Sequence, residues 1–367
     1  MRSFFNKRVR AIPIWVIASL ALLAVSVIIY SVALKSVSFA DFINETVSVW
    51  LRAAMSYVTY IFPFSVFELL VILILPIIIL LIFKMIKSGT THVRRMRTVI
   101  SLVGVIALIF SSYIFMLGIG YHTTPLAAKL GLTSRTDLSS DEIYRTITTV
   151  EKEVNALAAE LDLDGDSTSM PYEMNELNEK IVRAYDAVNS EYSLVTNFKS
   201  RAKPVYFSTV MSDMRITGIY SFFTGEANVN IEYPDYVLPF TVAHELAHQR
   251  GICRENEANF IAFLVCISSD DPYIRYSGYL NLYEYLASAM YRADKDAYYE
   301  INAGLSHIAS SDIKAANAVY NAHKDSFLGE LNDKINDRYL KLNGTQGVVT
   351  YGYVVRLAVS YYEEKAN

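Results

Sequence analysis

Three long stretches without polar interruption dominate the first third of the chain. Residues 14–34 and 99–121 carry no charged side chain, and residues 62–83 carry one, Glu68, together with Pro63 and Pro76. About 20 apolar residues cross the hydrocarbon core of a bilayer as a helix, so each stretch predicts a membrane span. Small residues in "SFA" after the first stretch would suit a cleaved leader, but its apolar core is too long for one and a second span follows. From residue 122 the pattern changes. Apolar residues recur at helical spacing in "SSDEIYRTITTVEKEVNALAAEL", which opens on a capping box from Ser139 to Glu142. A second helix, entered at Pro171, covers "MPYEMNELNEKIVRAYDAVNSEY". Between them Asp162, Asp164, Asp166 and Glu173 fall at calcium-loop positions, but Ser167 stands where that loop needs glycine, so a solvated turn is expected.

The period then shortens. "KPVYFSTVMSDMRITGIYSFFTGEANVNIEYP" is rich in β-branched and aromatic residues, and "ANVNIEY" predicts a strand with Val229, Ile231 and Tyr233 on one face. Helical spacing returns with "EANFIAFLVCISS", which is apolar nearly all round and therefore buried. Two amphipathic stretches follow, "YIRYSGYLNLYEYLASAMYRA" and "SDIKAANAVYNAHKDSFLGELNDKINDRYLKLNG", the latter stopped at Gly344. The pattern predicts an α+β chain that is mainly helical. Residues 1–121 form a membrane domain with three transmembrane helices, and residues 122–367 an extramembrane domain with a small sheet.

Composition agrees with that division. Of 367 residues, 53% are hydrophobic and 19% charged, which is too apolar for a soluble domain of this size. A net charge of −4 advertises no basic surface, so the bilayer is an expected partner and nucleic acid is not. Lysine and arginine set the direction. Arg2, Lys7, Arg8 and Arg10 precede the first span, and Lys84, Lys87, Arg94, Arg95 and Arg97 lie between the second and third. The loop between the first two spans has only Lys35 and Arg52, beside Asp41 and Glu45. The positive-inside rule then predicts a multi-pass protein of the cytoplasmic membrane, with a cytoplasmic N-terminus and an extracytoplasmic C-terminal domain. Glu68, near the outer end of the second span, is expected to sit wet at the interface. Cys253 and Cys266, spaced along one helical stretch, read as buried free thiols.

The chemistry concentrates in "TVAHELAHQRGICRENEANF", residues 241–260. His244 and His248 lie four apart, about 400° of helix, so both imidazoles leave one face a turn apart. That bite suits a tetrahedral metal, and zinc is the usual occupant. Glu245 projects to one side, where it can act on a water as general base without being a ligand. A third protein ligand is required. The position that would carry histidine in an extended HExxHxxGxxH pattern is Arg254, which leaves Glu255 and Glu257. These point about 200° apart on the following helix, so one at most faces the metal. Glu255 shares a face with Asn259, which could brace a ligand histidine.

"HELAH" followed by "ENEAN" resembles the glutamate-type zincin metallopeptidases. In these, HExxH is completed by a glutamate from a later helix. The resemblance implies His244 and His248 as zinc ligands, Glu245 as general base, Glu255 as third ligand and Asn259 as the residue one turn on. The step from His248 to Glu255 is shorter than most such enzymes have, which keeps Glu257 as the alternative. The three spans with "FPFSVFELL", "YHTTPLAAKLGL", "GEANVN", "PFTVAHELAHQRG" and "VTYGYVVRL" also resemble an uncharacterised family of bacterial membrane proteins that carry such an HExxH domain. One Zn2+ per chain and a peptide or envelope-protein substrate are the expectations. A non-catalytic membrane sensor or scaffold with a zinc-binding domain is the alternative. Intramembrane proteolysis is disfavoured, because His244 lies far beyond the last span. A peptidase also needs a strand edge for its substrate, for which "EANVNIEY" is the candidate, and an electrophile for the oxyanion, for which His307, His323, Tyr351 and Arg356 are candidates.

Overall fold

The three apolar stretches fold as helices Ile14–Ala33, Val66–Ile86 and His92–Met116, the last continuing in a 3-10 turn, Gly118–His122. All three are long and apolar enough to cross a membrane. The structure is a computed structural model and describes residues 12–87, 92–161 and 167–366. Arg2, Lys7, Arg8 and Arg10, and the Asp162–Asp166 part of the calcium-like segment, lie outside the described residues. The second span starts at Val66 rather than residue 62, because Ser65 caps it, its hydroxyl accepting the Glu68 N–H at 2.9 Å. The third starts before its apolar run, at His92.

Residues 37–60, between the first two spans, are not an open loop. They form helix Val37–Phe42, a π-helical turn Ile43–Ser48 and helix Val49–Tyr60, and they pack onto the residues after 122. The ends Ala33, Val66 and Met116 face the same body. Tyr30 Oη meets His122 Nε2 at 3.1 Å, and the Val66 and Phe67 N–H groups donate to Glu226 at 3.1 and 2.7 Å. Glu226 thus satisfies the orphan donors of the second span's first turn, where a negative charge is also favoured by the helix dipole. Its charge is balanced by buried Lys203, whose Nζ is 2.5 Å away. Glu68 is not simply wet either: its carboxylate accepts the N–H groups of Tyr206 and Phe207 at 3.1 and 2.7 Å.

The sheet has three strands, β1 Ala202–Val205, β2 Gly218–Ser221 and β3 Glu226–Asn230, in the order β1-β3-β2. β3 runs parallel to β1 and antiparallel to β2. Alternation along β3 puts Ala227 and Val229 in the hydrophobic core and turns Glu226 and Asn228 to the membrane helices. The strand ends earlier than its sequence predicts. Asn230 closes it by donating to Ser212 Oγ and the Ile216 carbonyl, and Ile231 is exposed.

The remaining elements are helices around one core. Ser140–Glu160 has the expected capping box and packs on Pro272–Ala293. The next helix begins at Met174, three residues after Pro171, with Glu173 extended at its N-cap. Glu255–Ile267 is buried on all sides from Glu257 to Cys266, as its apolar sequence requires. The long amphipathic stretch is two helices, His307–His323 and Phe327–Leu342, because Ser326 caps the second by accepting the Leu328 N–H. Gly344 follows at φ 82°. Cys253 and Cys266 are free and buried.

Candidate metal centre

The motif lies on helix Val237–Gln249, whose residues are buried except His244, which is mostly buried with a small exposed part. Phe240, Val242, Ala243, Leu246 and Ala247 anchor it in the core, and Tyr185 Oη donates to the Ala243 carbonyl at 2.6 Å. The helix ends in a Schellman motif: Ile252 N–H bonds Ala247 O and Gly251 N–H bonds His248 O, both at 3.0 Å. Gly251 takes φ 98°, and an added Cβ would lie 2.3 Å from Arg52 Nη2, so only glycine fits. This turn is what lets a carboxylate follow His248 so closely.

The turn is held by the segment between the first two apolar helices. Asn44 Nδ2 donates to the Gly251 carbonyl at 3.1 Å, and Arg52 Nη2 donates to the Asn44 carbonyl and Oδ1 at 3.0 Å each. Arg254 holds the other side, donating to the carbonyls of Tyr121 and Thr123 at 2.9 and 2.6 Å. The ligand-bearing helix starts at the next residue.

His244, His248 and Glu255 converge, with ligand atoms within 4.8 Å of one another. Glu255 Oε2 is 3.3 Å from His244 Nε2 and 3.5 Å from His248 Nε2. Tetrahedral ligands about 2.1 Å from a zinc ion are about 3.4 Å apart, so these separations fit. The His248 Nδ1–H donates to the Ile252 carbonyl at 2.8 Å, which leaves Nε2 unprotonated for a metal. Glu257 is turned away: it pairs with Arg254 at 3.0 Å and accepts the Leu126 N–H at 2.9 Å. Asn259 is not bonded to either imidazole. Its Nδ2 is buried without a hydrogen-bond partner, and so is His244 Nδ1, so the expected bracing of a ligand histidine is not made.

Charge in the cluster has the sign a cation needs. Burial opposes ionisation of Glu255, but His248 and His244 outweigh it and hold the carboxyl well below the ordinary range. Burial likewise disfavours protonated His248, yet Glu255 raises it to about 9. Without a metal, a proton does the cation's work. Glu245 behaves differently. Burial raises it to about 7, against the pull of His244 and His248. The nearby Tyr220 backbone N–H pulls it the other way, and its Oε2 is buried with no partner. Two histidines and a carboxylate form a donor set that could hold a metal ion, with an orphaned carboxylate oxygen beside it.

The cluster opens into a cleft of about 600 Å³. β2 forms one wall and Asn332, Asp333, Asn336 and Tyr339 of helix Phe327–Leu342 the other. Asn230 N–H bonds Thr217 O, so Gly218 and Tyr220, alternating with the paired residues, present their backbone groups away from β3. The expected substrate edge on "EANVNIEY" is therefore corrected. β3 has strands on both sides, and the edge beside the metal cluster is β2. Of the expected electrophiles, His323 bonds Asp213 at 2.8 Å, Arg356 stacks on Tyr353 at 4.0 Å, and neither these nor His307 lines the cleft. The Tyr351 side chain lies outside the described residues. Tyrosines that do line it are Tyr121, Tyr220, Tyr285 and Tyr339. Tyr121 escaped sequence reasoning because it closes a membrane span, and Tyr339 because one tyrosine on an amphipathic helix carries no signal.

A family model described as a protein of unknown function (DUF3810) matches residues 44–359. No curated protein and no solved structure matches the chain. The matched region takes in Asn44, two of the three apolar helices and the His244, His248 and Glu255 group.

Proposed function

The chain belongs to DUF3810, a family of proteins of unknown function, and from the site it carries we propose that it is a membrane-anchored zinc-dependent metallopeptidase of zincin type. The observation that carries this reading is the convergence of His244, His248 and Glu255 beside a buried Glu245 with an orphaned oxygen. His244 Nε2, His248 Nε2 and Glu255 would hold one Zn2+, with a fourth position left open. When bound, the ion supplies Lewis acidity, lowering a water's pKa to about 7 and polarising a carbonyl.

Glu245 is the general base. Raised to about 7, its carboxylate can take a proton from the attacking water at neutral pH. Water oxygen bonds to the carbonyl carbon, the C–N bond breaks, and Glu245 delivers the proton to the leaving amine. The Glu245 Oε2, buried with no partner, is the oxygen free for that exchange. An extended substrate lies along the outer edge of β2, where Gly218 and Tyr220 offer backbone partners. The Lys84–Arg97 cluster sits at the ends of the spans remote from the domain, which supports an extracytoplasmic site in the cytoplasmic membrane.

The test is hydrolysis of a diverse peptide library by the purified full-length protein in detergent. Cleavage that disappears on chelation, returns with zinc and is absent in Glu245→Gln supports the peptidase. Stoichiometric zinc with no cleavage under any condition favours the sensor or scaffold instead. Two histidines and a carboxylate also serve iron(II) oxygenases, so elemental analysis should separate zinc from iron.

A further inference from the structure

The cleft has a fixed relation to the membrane. One end is lined by Leu117 and Tyr121, directly beyond the third span, and the other by Arg215, Asn332 and Asp333. Tyr121 lies five positions beyond Met116, largely in a 3-10 turn, about 10 Å at about 2 Å per residue. Arg254, next to Glu255, donates to the Tyr121 carbonyl at 2.9 Å. The metal cluster is thereby tied to the end of a span.

β2 has the same orientation. Past its last residue, the Phe222 carbonyl accepts Ser112 Oγ of the third span at 2.8 Å. The Phe222 ring packs edge-on against Tyr113 of that span, and Phe223 lies against Phe67 of the second, with centroids 5.6 and 5.7 Å apart. Its other end leads back to Arg215, which pairs with Asp333 across the cleft. A chain paired with β2 therefore has one end at the spans and the other pointing away.

The bilayer surface reaches this level. Outside the spans, Trp50 is 64% exposed, Ile61 76% and Tyr206 85%, with Phe42 and Phe207 also exposed. The Tyr206 and Phe207 amides are bonded to Glu68 in the first turn of the second span. Aromatic side chains in such a ring suit the headgroup region, where an apolar body and a polar tip are both accommodated. The bilayer is the occupant of this surface, because it continues the apolar faces of the spans.

We infer that the substrate is a membrane-anchored polypeptide, taken in extended form and cut in the segment next to its anchor. This rests on the peptidase reading above. An extended chain covers about 3.3 Å per residue, so the roughly 10 Å from the end of the third span puts the cut at least about three residues from the anchor's apolar end.

The experiment places full-length protein in lipid vesicles with a quenched fluorogenic peptide anchored by one hydrophobic helix, at either end. The linker between helix and reporter is a uniform repeat, so that distance alone varies, and fragments are read by mass spectrometry. Expected is a cut at constant distance from the helix whatever the linker length, at least tenfold faster than in the same peptide without its helix. A cut that stays with the reporter sequence as the linker grows, or equal rates with and without the helix, overturns the inference and leaves the peptidase intact. No cleavage of either peptide by zinc-loaded protein overturns both.

Discussion

Arg52 is the point at which the membrane helices take hold of the metal centre, and its removal has a calculable cost. The side chain is fully buried, and its partners are carbonyl or amide oxygens. Nη2 makes two bonds to Asn44 at 3.0 Å, and Nη1 reaches the Phe115 and Met116 carbonyls at 3.4 Å, the C-terminal end of the third span, where a cation is favoured. Arg52→Met keeps the volume and removes every donor. Two charge-assisted bonds at about 1.5–3 kcal/mol each are lost, and part is returned because the guanidinium need no longer be desolvated. A net loss of about 2–4 kcal/mol follows, or roughly 5–15 °C in Tm at about 2–4 °C per kcal/mol for a domain of this size. Differential scanning fluorimetry in detergent, with saturating zinc, measures it. Arg52→Lys keeps the charge but not the fork and should lose about half as much. Because Asn44 also holds Gly251, zinc affinity should fall with stability in Arg52→Met. Unfolding at the wild-type temperature would refute the claim that this contact braces the site.

Gly218→Ala would place a methyl group 2.5 Å from Glu245 Oε1 and 2.7 Å from Thr241 Cγ2, so the base must move. A displacement of about 1 Å costs about a hundredfold in kcat, with zinc content unchanged, and wild-type turnover on a fluorogenic peptide would contradict the placement of the base. Glu257→Gln should keep its zinc and lose about 1–3 kcal/mol of stability, since it removes the charge and one acceptor oxygen from the pair with Arg254, whereas Glu255→Gln should weaken zinc binding at least a hundredfold. Reversed results in a zinc titration would transfer the ligand role to Glu257. In metal-stripped protein, His248, raised to about 9 by Glu255, contributes stability that is fully present below about pH 6.5 and fades as pH rises through 9. Glu255, held low by the histidines, contributes above about pH 4.5 and loses its contribution as pH falls further. Tm of the stripped protein should thus be highest near pH 5–6.5 and drop towards 9, while zinc binding tightens over the same rise. A stripped-protein Tm that climbs from pH 7 to 9 contradicts this ion pair.

What was legible in the sequence is what local spacing determines. The capping box at Ser139, the all-apolar helix after Glu255 and the one-face placement of His244 and His248 each depend on neighbours within a turn or two. Glu255 could be preferred to Glu257 for the same reason, since helical rotation sends the two to different sides. The missed features are those made by distant partners. Arg52 looked like one charge in a loop, yet it bridges Asn44 and the end of the third span. Glu226 looked like a polar residue in a strand, and it caps the second span from far along the chain. Asn259 has the spacing of a bracing residue, but its Nδ2 meets no partner, and periodicity places a residue on a face without fixing what its side chain bonds. β3 was visible as a strand, but its central place in the sheet depends on β1 and β2, whose short runs alternate too little to be ordered.

The central claim is that His244, His248 and Glu255 hold a catalytic zinc and Glu245 acts beside it. Metal content by mass spectrometry and peptide hydrolysis, measured on the same preparations of wild type, His244→Ala and Glu245→Gln, test it together. The account predicts about one zinc per chain with activity in wild type, neither in His244→Ala, and zinc without activity in Glu245→Gln. Zinc retained in His244→Ala, or hydrolysis retained in Glu245→Gln, would contradict it.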